Sequence, residues 1–81
     1  MTDTPAAADA DAERTRLAAA LQHAIDDLSP EFRAAFLLRE YHELEYAEIA
    51  DNLQVDLGTV KSRLSRARAA LRAALAEVHD E

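Results

Sequence analysis

Between residues 58 and 72 the chain reads GTVKSRLSRARAALR, where Lys61, Arg63, Arg66, Arg68 and Arg72 supply five of its nine basic side chains, interleaved with Thr59, Ser62 and Ser65. Guanidinium forks and an ammonium at this density bind anionic oxygens, and in a duplex groove they also reach guanine O6 and N7. No acid stands between Gly58 and Ala76, so the chemistry on offer is recognition of a polyanion. Taken alone, such a stripe is compatible with a merely solvated helix face, and the elements around it have to decide. The remaining ionisable groups point to no reaction. Glu43, Glu45 and Glu48 cluster, yet no nucleophile, cleft-forming length or glycine-rich phosphate loop accompanies them, so an enzyme is not expected. His23, His42 and His79 lack the spacing of metal ligands and cysteine is absent, which leaves no metal site and no cofactor to expect.

What must position the basic stripe is a small helical domain. Eighty-one residues bury only about 60% of their unfolded surface, which supports a single core. One Gly, two Pro, abundant Ala and Leu and hardly any β-branched runs favour an all-α fold. The charge is polarised along the chain. Residues 1–57 carry 4 basic and 13 acidic groups, a balance of -9, whereas 58–81 carry 5 and 3, a balance of +2. The net -7 repels nucleic acid at long range, but screening over about 8 Å lets a local basic stripe grip phosphates at contact. No apolar run approaches the roughly 20 residues that span a bilayer, and no basic-plus-apolar leader opens the chain, so a cytoplasmic protein without membrane contact is expected.

Along the chain, MTDTPAAADA, residues 1–10, reads as a disordered tail or linker, and residues 11–81 as the domain. From about Asp11 the residues Leu17, Leu21, Ala24, Ile25 and Leu28 recur at three and four, which predicts a first helix ending near Leu28. Ser29-Pro30 is a helix start, the hydroxyl able to cap free amides and proline losing nothing at the first helical position. This second helix carries Phe32, Ala35 and Phe36 and is predicted to run to about His42. HELE, residues 42–45, forms a short connection with Leu44 turned inward, and a third helix spans roughly Tyr46 to Leu53. After a turn at Gln54 and Val55, Asp56 caps a long fourth helix beginning near Leu57. In it Val60, Leu64, Ala67, Leu71, Leu75 and Val78 lie within about 80° at 100° per residue, an apolar seam directed at the core. On the remaining surface Gly58, Lys61, Ser62, Ser65 and Arg66 form one arc, flanked by Thr59 and Arg63 on one side and by Arg68 and Arg72 on the other. Two short helices crossing at a small residue, Ala50, with a basic outer face on the second, are the arrangement that enters a DNA major groove. The end of the seam, around Leu71 to Val78, is also a candidate face for weak self-association.

At this level of detail LSPEFRAAFLLREYHELEYAEIADNLQVDLGTVKSRLSRARAAL resembles region 4 of the extracytoplasmic-function sigma factors of bacterial RNA polymerase. The resemblance covers residues 28 to about 75, and its most specific pieces are GTVKSRLSRAR, YAEIA and FLLRE. It implies a four-helix domain with a C-terminal helix-turn-helix, the long recognition helix last, that reads the promoter minus-35 element while the first three helices dock on the flap of the polymerase β subunit. Carried over by position, Lys61, Ser62, Ser65 and Arg66 correspond to base-reading residues. Thr59, Arg63 and Arg68 correspond to contacts with the DNA backbone, as do Arg39 and Tyr46 from the second helix and the start of the third. Phe32, Phe36 and Tyr41 read as core or flap-docking residues. Glu43 and Gln54 stand where the family usually has Gly, and Glu45 where it has a capping Ser or Thr. A region 2, which melts the minus-10 element, is not seen in these residues, so the chain is not expected to initiate transcription alone. Beside promoter reading stands a second reading, a protein-interaction module with weak or no DNA binding of its own, whose acidic, apolar first three helices meet the β flap or an anti-sigma regulator.

Overall fold

Helix-forming composition and three short connections divide the chain into α1 (Pro5–Asp27), α2 (Pro30–Glu40), α3 (Tyr46–Leu53) and α4 (Leu57–His79). The structure, a computed structural model, describes residues 5–79; residues 1–4, the start of the expected tail, lie outside the described residues. The fold class is all-α, as the sequence predicts, and no strand occurs among the described residues. α1 begins at Pro5 instead of about Asp11, because a helix propagates through residues such as Ala6, Ala7, Ala8 and Ala10 on intrinsic propensity, without needing an apolar stripe.

The start of α2 differs from expectation in its chemistry. The Ser29 hydroxyl makes no capping bond; the Ser29 carbonyl instead accepts from the Arg33 amide at 2.9 Å. Arg33 also reaches back, its Nη1 donating to the carbonyls of Asp26 at 2.9 Å and Leu28 at 3.0 Å. That puts a cation on the open carboxyl end of α1, which has no basic residue in its own last turn. At its far end α2 stops at Glu40, two residues before the predicted His42, and Tyr41 and His42 both donate their amides to the Leu37 carbonyl. The stop is set from beyond the helix. Glu43 adopts a left-handed φ of 56°, which turns Leu44 inward so that its amide bonds the Leu38 carbonyl at 3.1 Å.

α3 and the start of α4 lie where the sequence puts them, because their signals are local. Glu48 Oε1 accepts the Glu45 amide at 2.7 Å, which closes the amino end of α3 as the third helical residue of a capping box does. Gln54 ends α3 at φ 58°, ψ 47°, its amide on the Asp51 carbonyl at 3.3 Å and that of Val55 on the Ala50 carbonyl at 3.0 Å. This is a Schellman closure built on glutamine. Holding a side chain in left-handed backbone costs about 1 kcal/mol, so Gln54→Gly should raise stability by about that amount, read as a rise of about 4–8 °C in the thermal midpoint.

The core forms two clusters strung along α4. In the first, Ala35 of α2 and Ile49 and Ala50 of α3 close on Val60 and Leu64, with Leu38, Leu44, Tyr46, Leu53 and Val55 packed around them. In the second, Ile25 and Leu28 close on Ala67 and Leu71, flanked by Phe32, Phe36 and Leu37. Ala50 lies buried at the α3–α4 crossing as expected, since a larger side chain there would push the helices apart. The seam is buried from Val60 to Leu71 and half-buried at Leu75 and Val78. Leu28 packs with Ala67, whereas Leu17 lines a groove with Leu75 and Ala76; α1 and α4 therefore run antiparallel, giving an elongated molecule of 54 × 25 × 15 Å. No helix among the described residues is long and apolar enough to cross a membrane.

Candidate nucleic-acid interface

Asp56 fixes where the basic helix begins. Its Oδ1 accepts the Thr59 amide at 2.9 Å, and hydrogen bonding from the Thr59 hydroxyl first and from this amide second holds the carboxyl below its ordinary value. A carboxyl depressed in the folded state adds stability above its unfolded pKa, and that stability is lost as pH falls through the folded value. The parent should therefore melt above Asp56→Ala near neutrality, and the gap should close as pH drops below the ordinary carboxylate range, as followed by circular dichroism.

From that cap the first turns of α4 present the arc. Gly58, Lys61, Ser62, Ser65 and Arg66 are exposed, while Thr59 and Arg63 on one flank and Arg68 on the other are half-buried. Lys61, Ser62, Ser65 and Arg66 make no side-chain hydrogen bond among the described residues, so their donors are open to an outside partner. Gly58, the chain's only glycine, has no internal reason to lack a side chain. A Cβ there would meet nothing nearer than Asp56 Oδ1 at 3.9 Å, yet a helical glycine costs about 0.5–1 kcal/mol relative to alanine. What it leaves is bare backbone at the amino end of the arc, in a groove bordered by Phe32, Thr59, Ser62, Arg63 and Arg66.

A second constellation forms where α2, the loop before α3, and α4 meet. The Arg39 guanidinium lies over the Tyr46 ring, 5.2 Å from its centroid, donates to the Leu44 carbonyl at 2.9 Å and stands 3.7 Å from Glu45 Oε1. Arg68 approaches the same tyrosine from α4, its Nη1 at 3.5 Å from the hydroxyl, while its Nη2 faces Glu40 Oε2 at 3.3 Å. The Arg68 hydrogen bond, reinforced by the charges of Arg68, Arg39 and Lys61, holds the Tyr46 phenol below its usual value. Tyr46 and Glu40 in turn keep the Arg68 guanidinium firmly charged. Two cations, Arg39 and Arg68, thus converge on Tyr46 at the amino end of α3.

The structure therefore gathers the sequence-derived residues into two sets, the open arc of Lys61, Ser62, Ser65 and Arg66 with Thr59 and Arg63, and the cluster of Arg39, Tyr46 and Arg68. Sequence reasoning missed Glu40 as a partner of Arg68 and Phe32 as a wall of the arc's groove. The Glu40 pairing spans 28 positions, and no local pattern signals it. Of the histidines, His23 and His42 are exposed and the His79 side chain lies outside the described residues. Phe32 and Phe36 pack against the α1–α4 cluster, whereas Tyr41 is 63% exposed.

Comparison with known proteins agrees with this geometry. Residues 18–71 match the family profile described as sigma-70, region 4. Over 67 residues, 83% of the chain, it is 51% identical to 26% of the ECF RNA polymerase sigma factor SigE of Mycolicibacterium smegmatis. Over 62 residues, 76% of the chain, it is 40% identical to 32% of the RNA polymerase sigma-H factor of Pseudomonas aeruginosa. The chain spans about a quarter to a third of the length of these curated relatives.

Proposed function

The chain belongs to the sigma-70 region 4 family, and from that premise we propose that it reads the promoter minus-35 element with the exposed arc of α4 and directs RNA polymerase to that promoter in the cytoplasm. The observation that carries this reading is Gly58, a helix position left bare where the fold has room for a side chain, directly beside open Lys, Ser and Arg donors. A duplex pressed against the amino end of α4 needs that bareness. In this reading Lys61, Ser62, Ser65 and Arg66 face base edges, and Thr59, Arg63, Arg68, Arg39 and Tyr46 face sugar-phosphate on either side.

The remaining surface suits a protein partner. Among the described residues Tyr41, 63% exposed at the end of α2, and Leu57, 43% exposed, are the large apolar side chains turned to solvent; with the acidic balance of residues 1–57 they support docking on the polymerase β flap, or capture by an anti-sigma factor. The apolar groove of Leu17, Leu75 and Ala76 beside Arg72 supports weak self-association at the far end of the molecule. Fluorescence anisotropy with a labelled minus-35 duplex and a scrambled one, each at about 50 and 200 mM salt, tests the main reading. Preference for the promoter with a steep salt slope is the expected result. Equal or absent binding would instead assign the domain to protein docking.

A further inference from the structure

Five charged side chains, Arg39, Glu40, Glu43, Glu45 and Arg68, line one open groove beside the arc. Its two arginines are among the backbone-contact candidates, one from α2 and one from α4, and its three glutamates leave it with a net negative charge. We propose that Glu40 and Glu45 act there as intramolecular stand-ins for DNA phosphate, so that the domain engages a duplex by exchanging carboxylate for phosphate on Arg68 and Arg39. This inference rests on the DNA-reading function proposed above.

The geometry distinguishes occupancy from support. Arg39 is already oriented by the Leu44 carbonyl at 2.9 Å and by the Tyr46 ring; Glu45, 81% exposed at the side chain, adds charge at 3.7 Å without fixing position. Arg68 likewise has the Tyr46 hydroxyl as well as Glu40 at 3.3 Å. Both separations exceed the roughly 2.7–2.9 Å of a well-made charge-assisted bond. The pairs are loose and solvent-facing, of a kind that contributes little to stability and can open readily. Glu43 adds a third acid to the same groove from a left-handed backbone conformation. A phosphate arriving at this groove meets two cations that are positioned but already neutralised, and fewer counterions are released when it binds.

The test compares the parent with Glu40→Gln/Glu45→Gln and with a control of the same charge change, Asp11→Asn/Glu13→Gln, which releases Arg14 and Arg16 from their ion pairs on α1. Anisotropy is read with the minus-35 and scrambled duplexes across salt, and circular dichroism verifies that each chain is folded. The expected result is that the groove variant binds both duplexes about tenfold more tightly than the control, with a salt slope steeper by about 1 to 2. Binding equal to the control would reduce the effect to net charge and overturn the proposal. Weaker binding would make Glu40 and Glu45 positioning residues and overturn it too. Both of those outcomes leave promoter reading by the parent intact, whereas no binding by any of the three chains removes the DNA reading and this proposal with it.

Discussion

Leu64→Ala should destabilise the domain by about 2–5 kcal/mol, the largest stability effect expected of a single truncation. Leu64 is 1% exposed and, with Ile49 and Val60, is among the three largest fully buried side chains. With Val60 it forms the α4 surface on which Ala35, Ile49 and Ala50 close. Its removal leaves a cavity between three helices that short turns on either side of α3 prevent from collapsing. Domains are typically stable by about 5–15 kcal/mol, and one of this size belongs at the lower end, so a loss at the upper end of the expected range would leave about half of the variant unfolded at 37 °C. Urea titration followed by circular dichroism measures the loss directly. A shift below about 1 kcal/mol would mean that α2 and α3 do not depend on this contact.

Arg66→Ala should produce the largest change in recognition. If its open guanidinium makes a bidentate base contact, losing it costs about 1–3 kcal/mol of discrimination, a reduction of about 5- to 150-fold in the ratio of promoter to scrambled affinity. Arg63→Ala should behave differently, weakening binding to both duplexes alike and flattening the salt slope by about 1. The same anisotropy titrations separate the two patterns. An unchanged ratio in Arg66→Ala together with an unchanged slope in Arg63→Ala would remove the arc from the interface. Neither arginine belongs to the buried set, so melting midpoints should stay close to the parent's and distinguish a binding defect from unfolding.

How far these features could be read from the sequence depends on the range of the interactions that set them. The limits of α3 and the first residue of α4 follow from neighbours within a few positions, Glu48 on the Glu45 amide and Asp56 on that of Thr59, and sequence reading places them correctly. The open arc follows from helical periodicity alone, since a residue opposite Val60 and Leu64 has to face solvent. The end of α2 is different, because the Leu44 amide returning to Leu38 and the Arg39 side chain returning to Leu44 fix it from across the loop. Least legible is the meeting of Arg68 with Tyr46 and Glu40, across 22 and 28 positions. It exists only because packing of Ile49 and Ala50 against Val60 and Leu64 brings the flank of α4 beside α3.

One helix serves both clusters, and this makes α4 far less tolerant of a change in length than of many changes in side chain. A single residue inserted after Arg66 would turn everything beyond it by about 100°. Ala70 would then take the place of Leu71, which is 5% exposed beneath Ile25 and Leu28, and Ala74 would take that of Leu75. The helix-turn-helix would keep its half of the core while α1 lost its anchor. Register between Val60 and Leu71 is thus the quantity that couples the reading end of the molecule to the end that carries α1.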